Sequence, residues 1–146
     1  MTDQVRHPTG DFFTPAYWDV TPSSPSTFYD KVDEDDDAEY LTVQNTLGGG
    51  VIFSFTPFGI PSIATDISLK IRVRAADLTD DLTLGYRLII GGNSYGADRN
   101  YAGSFTDYTW TLTTNPKTGE AWTVDAINGV GSNALQYIGL QATGGI

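Results

Sequence analysis

The chain has 146 residues, with 18 acidic against 8 basic side chains, a formal net charge of −10 and a pI near 4.1. A chain of this size suits one domain that buries about 70% of its unfolded surface, so its core needs neither metal nor disulfide. The lack of cysteine excludes disulfide staples, thiolate zinc sites and a cysteine nucleophile, and the acidic balance repels nucleic acid and anionic lipid at long range. No apolar run has transmembrane length and no charged-then-apolar leader opens the chain. The expectation is therefore a protein with no nucleic-acid or membrane partner, which stays where it is made or leaves with something larger.

Residues 1–28 differ from the rest. They hold Pro8, Pro15, Pro22 and Pro25, four of the seven prolines, which forbid a helix and weaken any interior strand. Phe12, Phe13, Tyr17 and Trp18 make the segment too aromatic for an idle tail. It reads as an extended N-terminal arm that lays rings on a surface, either its own domain or a neighbouring subunit. A first edge strand of the main domain, or disorder, are the other readings. Residues 29–146 read as the folded domain.

An acidic run follows, from Asp33 to Asp37. Hard cations want several carboxylate oxygens, so a Ca²⁺ site is one reading. EF-hand spacing is missing, and a solvated acidic loop leading into a strand at Tyr40–Gln44 is the plainer one. After the flexible triplet Gly48–Gly50, Val51, Phe53 and Phe55 share one face of a strand. The loop beyond it carries Phe58 and Ile60, which either offer a contact surface or tuck inwards.

The strongest strand signal runs from Thr65 to Ala75. Ile67, Leu69, Ile71 and Val73 alternate with Ser68, Lys70, Arg72 and Arg74, giving one core face and one wet face. Lys70, Arg72 and Arg74 form a basic row in an acidic protein. The row either pairs with acidic neighbours on the sheet or docks an acidic partner surface. Leu82–Ile90 is the next strand, and Gly91-Gly92-Asn93 is a tight hairpin turn. Asp98–Phe105 reads as a loop. Tyr95 and Tyr101 with Asn93, Asp98 and Asn100 carry the aromatic-plus-amide chemistry of sugar-binding loops, which is also ordinary loop composition.

Tyr108–Gly129 holds Trp110 and Trp122 with a turn between them. Tyr108–Leu112 alternates as a half-buried strand does. Pro116 presets φ in the turn, and Gly119 supplies a positive φ where the chain reverses. Trp110, Pro116, Gly119 and Trp122 form a structural corner, followed by a short strand or a helical turn capped by Thr123. A last strand runs through 133–142. The whole pattern is all-β: an antiparallel β-sandwich, jelly-roll-like, of eight or nine short strands.

No reaction chemistry stands out. His7 is the only histidine, which excludes multi-histidine metal sites and leaves no confident triad. There is no G-x-S-x-G elbow, and neither glycine cluster has phosphate-loop context. No catalytic residue, metal site or cofactor is assigned, and the expectation is a non-enzyme.

Several features together resemble structural proteins of tailed bacteriophages. They are YDKVDE at 29–34, DDDAEYL at 35–41, the alternating strand ending IRVRA at 71–75, NPKTGEAWT at 115–123 and DAIN at 125–128. The resemblance covers residues 28–142 and points to small β-sandwich domains of phage particles. A lone sandwich with an aromatic arm looks like a capsid decoration protein. That resemblance implies a homotrimer on the outer capsid surface of the virion, made in the host cytoplasm, that clamps major capsid protein subunits. Phe12, Phe13, Tyr17 and Trp18 would be the arm anchors, and Lys70, Arg72 and Arg74 a second contact row. A carbohydrate- or receptor-binding module of a phage tail or fibre, and a Ca²⁺-dependent adhesion domain, are the alternatives.

Overall fold

The computed structural model describes residues 4–14, 18–23, 27, 29, 40–43, 49–77, 82–100 and 103–144. Tyr17, Tyr101 and the run from Asp33 to Asp37 lie outside these described residues. The elements run β1 (Pro8–Phe13), β2 (Trp18–Thr21), β3 (Tyr40–Val43), β4 (Gly49–Phe55), β5 (Leu69–Asp77), β6 (Leu82–Ile90), β7 (Asn93–Asn100), β8 (Gly103–Leu112), the helical turn α1 (Val124–Ile127) and β9 (Leu135–Gly144).

All pairings are antiparallel. Five strands form one sheet in the order β1-β4-β9-β6-β7, while β5 pairs with β8 and β2 with β3 in two-stranded ribbons. The β5–β8 ribbon packs across the inner face of the large sheet, where the Trp110 ring meets Tyr86 edge-on at 5.3 Å between centroids. The result is an all-β, sandwich-like fold.

Period-two alternation decides which side chains fill the gap. Val51, Phe53 and Phe55 of β4, and Leu84, Tyr86, Leu88 and Ile90 of β6, are all buried. Leu69 and Val73 of β5 close the core from the ribbon side, while Lys70, Arg72 and Arg74 are exposed. The core lies in two contiguous clusters bridged by Ile71, Trp110 and Ile138.

The β6–β7 hairpin turns on Gly91 and Gly92, with φ of 54° and 85°. Positive φ at both central residues is the type I′ signature, whose twist matches that of the flanking strands. Consequently Asn93–Asn100 is a regular strand in eight consecutive pairs with β6. The strand continues through Asp98–Asn100 and β8 begins at Gly103, where a loop over Asp98–Phe105 was expected from composition.

Pro8–Phe13 takes the edge-strand reading. It pairs with β4 through two register shifts, and Pro8 stands first, where a strand tolerates a missing donor. The preceding residues are fastened as well. Gln4 bonds both the carbonyl and the amide of Gly59, each at 3.0 Å. Arg6 Nε donates to the Thr56 and Pro57 carbonyls, with its guanidinium 5.3 Å from the Phe58 ring centroid. The Phe58–Ile60 loop tucks inwards: Phe58 meets Phe55 edge-on at 6.0 Å. Asn128 holds the Ile60 amide at 2.9 Å and its carbonyl at 3.0 Å.

Candidate partner interface

The outer face of the five-stranded sheet, opposite the ribbon, has an unusual build. Cross-strand register places Gly50, Gln141, Gly85 and Asp98 in one row, and Ile52, Gly139, Arg87 and Gly96 in the next. A third row carries Tyr137, Ile89 and Ser94. Long side chains thus alternate with glycines in both directions. Glycine is poor in strand interiors because it costs entropy and packs nothing, so its recurrence here reflects space. A Cβ at Gly50 would lie 2.8 Å from Arg87 Nη1, and one at Gly139 would overlap the Val51 carbonyl oxygen. Arg87 lies down along the sheet over Gly50 and Asp98 over Gly85, while at Gly139 it is the neighbouring backbone that leaves no room.

Lying down lets them connect. Arg87 Nε donates to Gln141 Oε1 at 3.3 Å, and Gln141 Nε2 donates to Asp98 Oδ1 at 2.5 Å. The amide has a donor on one side and an acceptor on the other, so its orientation is fixed by both partners. Guanidinium and carboxylate are linked through it across β6, β9 and β7.

The other end of this face is aromatic. Phe12 of β1 stacks on Tyr137 of β9 at 4.2 Å between centroids and 20° between planes. Phe12 and Phe13 remain 59% and 53% exposed, the largest rings so placed among the described residues. Phe13 stands opposite Ile52, and Tyr137 opposite Ile89. An apolar strip therefore crosses four strands. Solvent-facing rings on a rigid sheet carry little entropy to lose on binding, which suits them to anchoring a contact.

The basic row lies on the opposite side of the molecule, on the outer face of the ribbon. Lys70 stands across from Thr111, Arg72 from Thr109 and Arg74 from Asp107. Arg74 Nη1 reaches Asp107 Oδ1 at 3.2 Å and its guanidinium sits 6.0 Å from the Phe105 ring centroid. Arg74 thus follows the acidic-neighbour reading. With both side chains more than a third exposed, such a pair contributes at most about 1 kcal/mol.

The tryptophan corner is built as its residue types require. Thr114 bridges to Ala121, and Gly119 has φ of 75°. Asn115, 2% exposed, organises the turn. Its Oδ1 accepts from the Lys117 amide at 2.9 Å, its Nδ2 donates to the Asn133 carbonyl at 3.2 Å, and its carbonyl accepts from Gly119 at 2.8 Å. Pro116 is the residue next to it, half-buried. Trp122 is 4% exposed and its indole N–H donates to the Leu112 carbonyl at 3.1 Å. After it Thr123 caps the helical turn through the Ala126 amide at 3.1 Å.

Of the expected arm anchors, Phe12 and Phe13 are together on β1, and Trp18 begins β2. The proposed sugar-loop set is divided: Tyr95 packs against the inner core cluster, while Asp98 serves the outer face through Gln141. Sequence reading missed Tyr137, Arg87 and Gln141. The available signal was glycine inside otherwise regular strands, at Gly85, Gly96 and Gly139, which marks close approach. Among the described residues, no group of three or more His, Cys, Asp or Glu is placed to hold a metal ion. No helix there is long and apolar enough to cross a membrane. Comparison with protein-family models, with curated proteins and with solved structures finds no match for this chain.

Proposed function

We propose that this chain is a virion structural protein that decorates and stabilises the outer surface of a phage capsid, binding major capsid protein subunits as a homotrimer. Two things support the reading. One is the sequence resemblance to phage-particle sandwiches. The other, which carries it, is the exposed Phe12–Phe13 pair mounted on the edge of the sheet and continuous with Ile52 and Tyr137. A shell-binding protein acts through area and anchors, and fixed aromatic rings supply both. The basic row at Lys70, Arg72 and Arg74 is the second contact surface in this reading, steering towards acidic patches.

Empty shells assembled from major capsid protein alone test it. Wild-type protein should sediment with the shells to a saturating ratio. The doubly substituted Phe12→Ser, Phe13→Ser protein should fold and remain in the supernatant. Wild-type protein that never sediments with shells refutes the proposal.

One observation favours a second reading, a glycan-binding module. The Phe12–Tyr137 stack shares its face with the Arg87–Gln141–Asp98 chain, and aromatic faces beside hydrogen-bonding side chains suit sugar rings. Glycan-array binding that disappears with Tyr137→Ala would favour it over decoration.

A further inference from the structure

The two edges of the five-stranded sheet are treated differently. β1 is a protected edge: it starts with Pro8, and its pairing with β4 is broken by two register shifts. Prolines and bulges are the devices by which natural sheets discourage further strand addition. β7 has neither. It runs from Asn93 to Asn100 without proline or lysine, its charges are confined to Asp98 and Arg99 near one end, its register with β6 has no shift, and it ends the strand order, with no strand on its far side among the described residues.

The hairpin fixes which backbone groups that edge presents. In a two-residue hairpin the closing pair, here Ile90 with Asn93, exchanges hydrogen bonds, and every second pair does so thereafter. Tyr95 and Ala97 are therefore bonded to β6. The amides and carbonyls of Ser94, Gly96 and Asp98 point away from it, towards an added strand. The side chains of Ser94 and Asp98 share the outer face with Gly96 between them, while Tyr95 and Ala97 face the core side.

We infer that this edge pairs with the same edge of a second copy, β7 against β7, antiparallel about a two-fold axis at Gly96. The residues choose both occupant and register. With Gly96 opposite its own counterpart, Ser94 of each copy stands opposite Asp98 of the other, a hydroxyl donor against a carboxylate acceptor, formed twice. Tyr95 stands opposite Ala97, large beside small. This register also overlaps almost the full length of both strands. Shifting the pairing by two residues in one direction sets Asp98 against Gly96 and leaves Ser94 at the end. A further shift the same way brings the two Asp98 carboxylates face to face. Glycine on the axis spares the outer face an encounter between two copies of one side chain. An isologous contact of this kind closes on itself. It takes a monomer to a dimer, and a trimer to a hexamer where the two-fold axes meet the three-fold at right angles, and it joins two five-stranded sheets into one continuous sheet. It does not depend on capsid binding: shell adsorption can fail while the pairing stands.

Sedimentation equilibrium on the full chain up to about 1 mM, the range in which an edge contact of modest area is populated, reads the doubling. Three proteins are compared. Wild type should show the doubled species. Ser94→Asp sets Asp against Asp98 twice and should weaken association at least about tenfold. Ser94→Asp with Asp98→Ser exchanges the two chemistries and should restore it. Amide exchange at Ser94, Gly96 and Asp98 in the wild type should slow with protein concentration. No doubling at the highest concentration, equal association by Ser94→Asp, a folded double variant that fails to recover, or concentration-independent exchange at these amides would each overturn the inference. Pairing of this edge with another protein's strand instead would appear as the first of these outcomes.

Discussion

Asn115 offers the sharpest test of how the tryptophan corner is held. The side chain is 2% exposed and makes two hydrogen bonds, from the Lys117 amide at 2.9 Å and to the Asn133 carbonyl at 3.2 Å. Asn115→Ala deletes both and leaves one donor and one acceptor unpaired. Each lost bond costs about 0.5–1.5 kcal/mol, and each orphaned group adds to that in proportion to its burial. Lys117 and Asn133 are only half-buried, so the sum stays near the lower end, about 2–3 kcal/mol. For a chain of this length that lowers Tm by about 5–10 °C. Asn115→Asp sharpens the test. Its carboxylate still accepts from Lys117 but faces the Asn133 carbonyl oxygen, where the amide donated. Ionised, it is buried against an acceptor and should cost more than alanine at pH 7. Protonated, it donates to that oxygen as the amide did. Its folded pKa is therefore raised above the unfolded value of about 3.9. The aspartate's advantage over alanine is thus fully present below that pH and lost as pH rises through the folded pKa. Urea titrations of the three proteins at pH 7 and near pH 4, each compared with wild type at the same pH, measure this. If the alanine variant matches wild type, or the aspartate variant gains nothing on acidification, the account of the corner is wrong.

Three further outcomes are expected. Gly91→Ala should destabilise more than Gly92→Ala: both need a positive φ, costing about 1–2 kcal/mol, but only at Gly91 would a Cβ overlap the Ser132 carbonyl oxygen and Lys117 Nζ. Thermal melts of the two variants rank them. Trp122→Phe keeps a ring in the core but removes the hydrogen bond to the Leu112 carbonyl and leaves part of the indole's space unfilled; a loss of about 1–3 kcal/mol in denaturant titration is expected. Burial raises the Tyr86 phenol above its ordinary pKa. Its contribution to stability is then complete below about pH 10 and falls as pH rises through the folded value, because the unfolded chain releases the proton first. Alkaline unfolding monitored by circular dichroism should move to higher pH in Tyr86→Phe, relative to that variant's stability at neutral pH.

Much of the fold is legible locally. The alternation from Ile67 to Arg74 marks an inner and an outer face, and Gly91-Gly92 marks a hairpin, because each signal is completed within a few residues. The tryptophan corner is legible for the same reason: Asn115 to Gly119 closes on itself. The expected loop at Asp98–Phe105 failed because cross-strand pairing with β6 carries Asp98 to Asn100 as strand despite their polar composition, and β8 already begins at Gly103. The outer face was invisible for a different reason. Arg87, Gln141 and Asp98 come from three strands that meet only through long-range register, and nothing local in the sequence announces that meeting. Phe12 was singled out for its exposure to a partner, but its stacking on Tyr137 could not be read from residues 1–28 alone.

The position of β9 has a consequence for how the molecule comes into being. This strand lies between β4 and β6 and pairs with both, yet translation reaches it after the other eight. Until Leu135–Gly144 has emerged from the ribosome, the two halves of the large sheet have no common neighbour, and Val51, Phe53, Leu84 and Leu88 face a gap. Every sequence separation between β4 and β9 is long, so closing it is entropically slow. A nascent chain paused before residue 135 should be bound by chaperones and cut readily by protease, and release of Leu135–Gly144 should seal the whole sheet in one step.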